Sequence, residues 1–406
     1  MSPRHQRSPS MTAQPMSYPF ARDDMLEPAA EFSRLRVERP VVPVELPTGG
    51  NAWLLTRYED VRQVLGDPRF ARGFGGPQPG GFASFLGYLA VFAAPEAQAR
   101  FRRVAGKALL DCADQMRPAV SRLVDEALSE LAAAGPPADL VGLVQLPVSI
   151  GVICELIGVP HEYQHTFRSW ADTFLSISPA AMDQEKAVAA QADMDRYVRG
   201  LLAERAAAPG DDYLSTLLTT PDVDGVRMSE EEVIATTYAL LVSGYQTVAH
   251  SLGKGMLALF RNPEQLAALR ADPQLAGSAV EEFLRFAPPD AGFGMPLHAT
   301  TDLEVAGVPI AAGESVLVGV WSANRDEETF PKAHHFDVAR RPNQHLSFGI
   351  GIRYCTGAAL ARLQMELVLT RLLERFPRLA LAVPAEQVEA SSGMVVEGPK
   401  QLPVTW

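Results

Sequence analysis

The chain of 406 residues is poor in cysteine, with only Cys112, Cys154 and Cys355. No two of them form a C-x-x-C pair, which argues against a zinc or iron–sulfur site built from several thiolates. Unpaired cysteines also indicate a reducing compartment. Cys112 and Cys154 lie in apolar, helix-like stretches and are predicted to be core residues.

Excess positive charge and long apolar runs are also lacking. The net charge of −12 disfavours nucleic acid and anionic membranes as partners. The most apolar stretch, residues 233–249, is interrupted by polar side chains such as Ser243 and Gln246. The N-terminal residues have no apolar signal-peptide core. We therefore expect a cytoplasmic protein that spans no membrane.

No linker, repeat or charge block divides the chain. We predict a disordered tail over residues 1–18 and a single large domain over residues 19–406. Residues 42–56 are predicted to form a β-hairpin, and most of 100–269 to be helical, with a capping box at Ser229 and Glu232. Short strands are expected after residue 303, at 394–396 and at 402–404. The predicted fold class is mainly α with small β-sheets.

Cys355 lies in a glycine-rich turn, residues 348–357, followed by strong helix formers from Ala358. Glycine permits the bends by which backbone N–H groups can face a sulfur. A nearby helix N-terminus favours a thiolate. One thiolate on one iron is how haem is held in enzymes that cleave the O–O bond of dioxygen. The turn therefore predicts a metal-binding thiolate at Cys355.

This turn resembles the haem-binding motif of the cytochrome P450 family, Phe-x-x-Gly-x-Arg-x-Cys-x-Gly. Its fixed positions are filled here by Phe348, Gly351, Arg353, Cys355 and Gly357. The resemblance extends from the predicted hairpin to the C-terminal strands. It implies a cytochrome P450 fold and a haem b whose iron is ligated by Cys355.

The resemblance also implies residues that contact the haem or support it. His345 and Arg353 can donate hydrogen bonds to carboxylates and would hold the propionates. The family's usual His and Arg pair appears here as Gln98 and Arg102, and Leu297 replaces a common propionate-binding Arg. The implied haem contacts are His345, Arg353, Phe348, Gly351, Gly357, Arg102, Gln98 and His298. Glu282, Arg285 and Arg340 resemble the family's buried Glu-Arg-Arg cluster and would be structural.

On the predicted long helix, Ser243-Gly244-Tyr245-Gln246-Thr247 corresponds to the family's Ala-Gly-x-(Asp/Glu)-Thr. An amide therefore replaces the usual acid. Gly244 and Thr247 could open the helix near an oxygen site, and Gln246 could relay hydrogen bonds without ionising. Gly244, Gln246 and Thr247 are the predicted catalytic residues. His250 either substitutes in a proton relay or is a core histidine.

The implied activity is oxidation by dioxygen, with electrons from NAD(P)H through ferredoxin reductase and ferredoxin. The predicted substrate contacts are Phe82, Phe85, Trp170, Phe293 and Met394. These mostly aromatic side chains favour as substrate an apolar or aromatic natural product of secondary metabolism, free or bound to a carrier protein.

Three outcomes are open. Hydroxylation or a related oxidation is the first. Because the helix acid is missing, radical C–C or C–N coupling without oxygen insertion is the second, for example of a tryptophan-containing cyclic dipeptide. A haem-binding sensor without turnover is the third, although such proteins usually carry a signalling module.

Overall fold

The structure is a computed structural model that describes residues 14–46, 49–72, 87, 89–176, 184–289 and 296–406. The chain divides into two compact units. The sheet unit comprises residues 1–77, 290–335 and 344–355, and the helical unit comprises residues 78–289, 336–343 and 356–406. Helices predominate and the sheets are small, which confirms the predicted fold class.

The sheet unit is built on a six-stranded sheet in the order β1-β2-β3-β9-β6-β4. Its strands are β1 (Met16–Ser17), β2 (Val41–Glu45), β3 (Asn51–Leu55), β4 (Phe70–Arg72), β6 (Leu297–Ala299) and β9 (Ser315–Val318). A separate two-stranded sheet pairs β7 (Leu303–Val305) with β8 (Val308–Ile310). Helices α1 (Glu31–Glu38), α2 (Tyr58–Gly66) and α14 (Val320–Ala323) belong to the same unit.

The predicted hairpin is confirmed, since β2 and β3 pair antiparallel. Successive residues of a strand point to opposite faces. Accordingly, Trp53 and Leu55 belong to one apolar cluster, whereas Ala52 and Leu54 belong to another. Because both faces of β3 are buried, its sequence is almost continuously apolar.

The N-terminal strand lies before the boundary predicted for the ordered domain. Met16 and Ser17 pair parallel to Val44 and Glu45 of β2. Ordered backbone therefore begins upstream of residue 19. The assignment of residues 19–406 to one domain stays a prediction.

The helical unit contains the remaining helices. They are α3 (Pro95–Arg100), α4 (Lys107–Ala113), α5 (Arg117–Ala134), α6 (Leu146–Ile157), α7 (Gln164–Leu175), α8 (Gln184–Ala207), α9 (Tyr213–Thr219), α10 (Glu230–Gly244), α11 (Gln246–Arg261), α12 (Pro263–Ala271), α13 (Ala276–Phe286) and α15 (Ala358–Arg375). Strands β5 (Ala138–Asp139), β10 (Ala380–Leu381) and β11 (Pro403–Thr405) form a small sheet in the order β10-β11-β5.

The predicted capping box begins α10. The Ser229 hydroxyl accepts a hydrogen bond from the Glu232 amide, and the Glu232 carboxylate accepts one from the Ser229 amide. The predicted helical run to Phe260 is interrupted once, at Tyr245, between α10 and α11.

The strand predicted around Met394 is wrong. Only an isolated antiparallel bridge between Met394 and Ser176 is present. Gly393 has a φ of +74°, which bends the chain. The amide of Val395, which follows Met394, donates to the carbonyl of Leu175 at the end of α7. The segment therefore pairs with a helix end.

No helix in the described ranges is long and apolar enough to cross a bilayer.

Close packing of α11 against α13 gives a first prediction. A Cβ at Gly255 would overlap the ring of Phe283, whereas a Cβ at Gly200 of α8 would meet no atom within 4 Å. Gly255→Ala should cost about 1–3 kcal/mol of unfolding free energy because the core is overpacked. Gly200→Ala should stabilise the protein by up to about 1 kcal/mol through helix propensity. Denaturant unfolding of both variants tests this, and equal effects would contradict it.

Candidate functional site

The turn that carries Cys355 requires glycine. Gly349 and Gly351 have φ values of +67° and +56°, and a Cβ at Gly349 would come within 2.6 Å of the Arg353 carbonyl oxygen. The turn closes through the Cys355 amide, which donates to the Phe348 carbonyl at 2.7 Å. An L-residue with a side chain is strained in this conformation. The glycines thus hold the backbone from which the exposed Cys355 projects.

Arg353 connects this turn to the end of α2. Its buried guanidinium donates to the carbonyls of Leu65 at 2.8 Å and Asp67 at 2.9 Å, and also to that of Phe70. These carbonyls include acceptors left over at a helix C-terminus. Arg353 therefore positions the turn, a role that sequence reasoning missed.

The other two cysteines differ from Cys355 in environment. Burial raises the pKa of the Cys112 thiol to about 11 and that of Cys154 to about 12. Both are therefore neutral thiols at pH 7. Cys154 is buried, as expected of a core residue, whereas Cys112 is only half-buried. In the described part of the chain, no group of three or more His, Cys, Asp or Glu side chains could hold a metal ion. Cys355 is the one exposed thiol among the three.

The junction between α10 and α11 is the second feature of interest. Most of these helices is buried, but Ala239, Leu240, Ser243, Gly244 and Thr247 retain accessible surface. Their spacing of three and four residues places them along one helix face. Between residues 232 and 259, accessible surface is therefore limited to this one stripe, which runs across the break.

Side-chain hydroxyls add hydrogen bonds to backbone carbonyls at this break. The Thr247 hydroxyl donates to the Ser243 carbonyl, and the Ser243 hydroxyl donates to the Ala239 carbonyl. Such bonds to the preceding turn bend helices. Close approach of α6 adds a constraint, because a Cβ at Gly244 would lie 2.7 Å from Cδ1 of Ile153. The predicted opening near Gly244 and Thr247 agrees with this geometry.

Gln246 and His250 point to different neighbours. Gln246 Nε2 donates to Asp172 Oδ1 at 2.8 Å, so the amide faces α7. His250 is 5% exposed and packs against Gly398, where a Cβ would overlap its ring. Desolvation, with a smaller contribution from Lys254, lowers the pKa of His250 to about 4. His250 is thus a neutral interior histidine, which favours the core alternative.

The structure brings the predicted charge cluster together. The Glu282 carboxylate accepts two hydrogen bonds of 2.7 Å from Arg285 and others from Arg340 at 3.2–3.3 Å. It also accepts from the Asp337 amide at 2.9 Å and from Asn343 at 3.1 Å. Glu282 and Arg285 are 0% exposed. A buried carboxylate needs such partners, so the cluster fixes the segment before the Cys355 turn.

Comparison with known proteins now identifies the family. A family model described as cytochrome P450 matches residues 273–404. The nocardicin C N-oxygenase of Nocardia uniformis subsp. tsuyamanensis is 39% identical over 396 residues, which cover 96% of this chain and 98% of that protein. The chain belongs to the cytochrome P450 family. The mycinamicin IV hydroxylase/epoxidase of Micromonospora griseorubida is 37% identical over 398 residues, covering 97% of this chain and 100% of that protein.

A solved structure agrees over the whole fold. The crystal structure of a cytochrome P450 hydroxylase from the leinamycin biosynthetic pathway of Streptomyces atroolivaceus has a TM-score of 0.88 to this chain at 39% identity. The match covers 96% of this chain and 100% of that one. The P450 family implies a haem-thiolate iron. A single exposed cysteine, with no multi-residue metal-ligand set among the described residues, suits that group.

The remaining predicted haem contacts lie in both units of this P450. In the sheet unit, His345 Nδ1 accepts from the Ser347 amide at 3.2 Å, which places the ring proton on Nε2. Phe348 contacts the His345 ring, with centroids 5.9 Å apart. His298 lies 3.2 Å from the Ser315 hydroxyl, and desolvation lowers its pKa, which disfavours a cationic contact.

In the helical unit, Gln98 and Arg102 stand one turn apart, on α3 and the π-helical segment that follows it. Gly357 precedes the first residue of α15. The contacts of these residues with haem stay predictions, as do those of His345, Phe348, Gly351 and His298.

The predicted substrate residues are only partly described. Phe82, Phe85 and Phe293 lie outside the described residues. Trp170 packs against Phe167 and Tyr197, with ring centroids 5.1 and 6.1 Å away. Met394 pairs with Ser176. Their roles in substrate binding stay predictions.

The Glu282 cluster yields a stability prediction. Glu282→Gln should cost about 3–5 kcal/mol because it leaves buried guanidinium charge uncompensated. The neighbouring Glu281 pairs with Arg362 at 2.6 Å, with side chains 26% and 33% exposed. Glu281→Gln should cost at most about 1 kcal/mol, as for other partly exposed pairs. Urea unfolding of both variants is the measurement, and equal losses would show that burial of the cluster is unimportant.

The low pKa of His250 predicts a pH effect. The folded state holds His250 neutral down to about pH 4, while the unfolded chain protonates near its usual value of 6.5. Stability should therefore fall as pH drops between these values, by roughly 3 kcal/mol in full. His250→Asn should flatten that dependence, whereas His165→Asn, at an exposed position of α7, should leave it unchanged. An identical slope in all three proteins, measured by urea unfolding from pH 7 to 4, would refute this.

Proposed function

We propose that this P450 is a haem-thiolate monooxygenase that uses a haem b ligated by Cys355 to hydroxylate, or otherwise oxidise, an apolar or aromatic natural product. The observation that carries the proposal is the Cys355 turn. Positive-φ glycines and the Arg353 contacts hold an exposed thiol in place, while the other two thiols, Cys154 buried and Cys112 half-buried, have a raised pKa. The N-oxygenase and hydroxylase/epoxidase relatives support oxygen insertion.

Each predicted residue has a task that its chemistry allows. A bound haem supplies the redox iron that reacts with dioxygen. Cys355 provides the thiolate, and His345, through Nε2–H, can donate to a propionate. The guanidinium of Arg353 already donates to backbone carbonyls, so its larger task is to hold the turn. Thr247 places a hydroxyl on the open stripe of the helix break.

The proposal includes a separate electron donor, a ferredoxin reduced by NAD(P)H through ferredoxin reductase, and a cytoplasmic location. Basic side chains around α3 and α4 offer an acidic partner a surface. Arg100 pairs with Glu232 and Arg103 with Asp222, whereas Lys107 is 71% exposed and pairs with Asp111 on its own helix. Arg100 and Arg103 are thus paired with acids of other segments, which reduces the positive charge available to an acidic partner.

Oxidative coupling of two carbon atoms, or of carbon and nitrogen, is a second candidate outcome. It is favoured by Gln246, because an amide cannot ionise to deliver protons. The substrate would be an aromatic metabolite such as a tryptophan-containing cyclic dipeptide. Product mass distinguishes the outcomes: a gained oxygen means insertion, while loss of two hydrogens or a dimer means coupling.

The ligand assignment is tested by Cys355→Ser, with Cys112→Ser as control. The first variant should lose the absorption band of the reduced carbon monoxide complex that marks a thiolate ligand, together with product formation. Cys112 is half-buried in α4, so Cys112→Ser should keep both the absorption band and product formation. A thiolate-type spectrum in Cys355→Ser would refute the assignment.

A further inference from the structure

A carboxylate from another helix reaches the break between α10 and α11. Asp172, on α7, accepts the 2.8 Å hydrogen bond from Gln246 Nε2. Its second oxygen lies 3.8 Å from Nε of Arg168, one turn earlier on the same helix. The Asp172 side chain is 41% exposed, so it can exchange protons with water while one oxygen contacts the 4% exposed Gln246.

This contact determines the orientation of the Gln246 amide. An ionised carboxylate only accepts hydrogen bonds, so the NH₂ group must face it. The other amide atom, Oε1, is buried and has no hydrogen-bond partner among the described residues. An unsatisfied buried acceptor costs about 1–3 kcal/mol, so a donor such as water is expected there. The orphaned oxygen lies on the residue next to Thr247.

We propose that Asp172 is a titratable acid beside the helix break, and that its protonation state decides which atom of the Gln246 amide the break presents. When Asp172 is ionised, it holds the NH₂ group, and Oε1 accepts a hydrogen bond from a buried water. When Asp172 is protonated, its O–H donates to Oε1 of the rotated amide, and the NH₂ group takes the place of the acceptor. Asp172 is thus a positioning residue that acts through Gln246.

The surroundings of Asp172 shift its pKa upward from the usual value of a carboxyl group. Desolvation raises its pKa, while the hydrogen bond from Gln246, the charge of Arg168 and the Tyr245 hydroxyl oppose the rise. Arg168 and Tyr245 are the charged and titratable groups that face it. In turn, burial and the charge of Asp172 raise the pKa of Tyr245, so this phenol stays protonated. The inference rests on the proposed function for its catalytic meaning, but the titration itself does not depend on haem.

The test is a pH titration of glutamine side-chain NH₂ signals by NMR, with ¹⁵N-labelled glutamine and the Gln246 signal assigned by its loss in Gln246→Met. We expect a single-step shift of this signal in the wild type and none in Asp172→Asn. Arg168→Gln should move the midpoint to higher pH, because a positive charge that favours the carboxylate is removed. Asp193→Asn, at an exposed ion pair on α8, should leave the titration unchanged.

An invariant Gln246 signal in the wild type, or the same titration in Asp172→Asn, would overturn the proposal. A second readout is the share of consumed NADPH recovered as product across pH. In the wild type this share should vary with the same midpoint as the NMR signal, and in Asp172→Asn it should not vary there. A variation that persists in Asp172→Asn would also overturn the proposal. If the wild type shows no thiolate-type spectrum but its Gln246 signal still titrates, the proposed haem function fails while the role of Asp172 stands.

Discussion

The buried carboxylate of Glu282 is the constraint around which the chain segment preceding the cysteine turn is arranged. Its side chain is wholly out of water, so α13 alone could not stabilise the charge. Arg285 comes from the same helix, but Arg340, Asn343 and the Asp337 amide come from the segment that leads directly into the turn. Satisfying one charge therefore fixes the chain just before it enters the functional loop.

Two further constraints shape the elements that carry chemistry. At the turn, left-handed glycines set the backbone path, and Arg353 fastens it to the carbonyls at the end of α2. At the helix break, hydroxyls bond back to the preceding turn and a glycine permits close packing against Ile153. Both elements expose a few polar atoms on a backbone that is held tightly by its neighbours. Such support keeps reactive groups in place when substrate binds.

Much of this could be predicted from sequence, because the relevant signals are local. The hairpin, the capping box and the cysteine turn depend on alternation, on a pair of residues three apart and on glycine spacing, respectively. The acid at the helix break could not be found this way. Asp172 lies 74 residues from Gln246 in the sequence. Its spacing from Arg168 is typical of an ordinary ion pair on a helix surface. The apolar residues around Met394 favour a strand, but the structure has only an isolated bridge there, because apolar residues alone do not determine what they pair with.

The sequence by itself determined the P450 family, the mainly helical fold and the cysteine suited to bind iron, because these follow from contiguous motifs and residue periodicity. Only the tertiary structure decided that Arg353 holds the turn, that His250 is a neutral core residue and that Asp172 faces Gln246. These roles depend on burial and on contacts between distant segments. Packing creates both, and no local pattern in the chain encodes them.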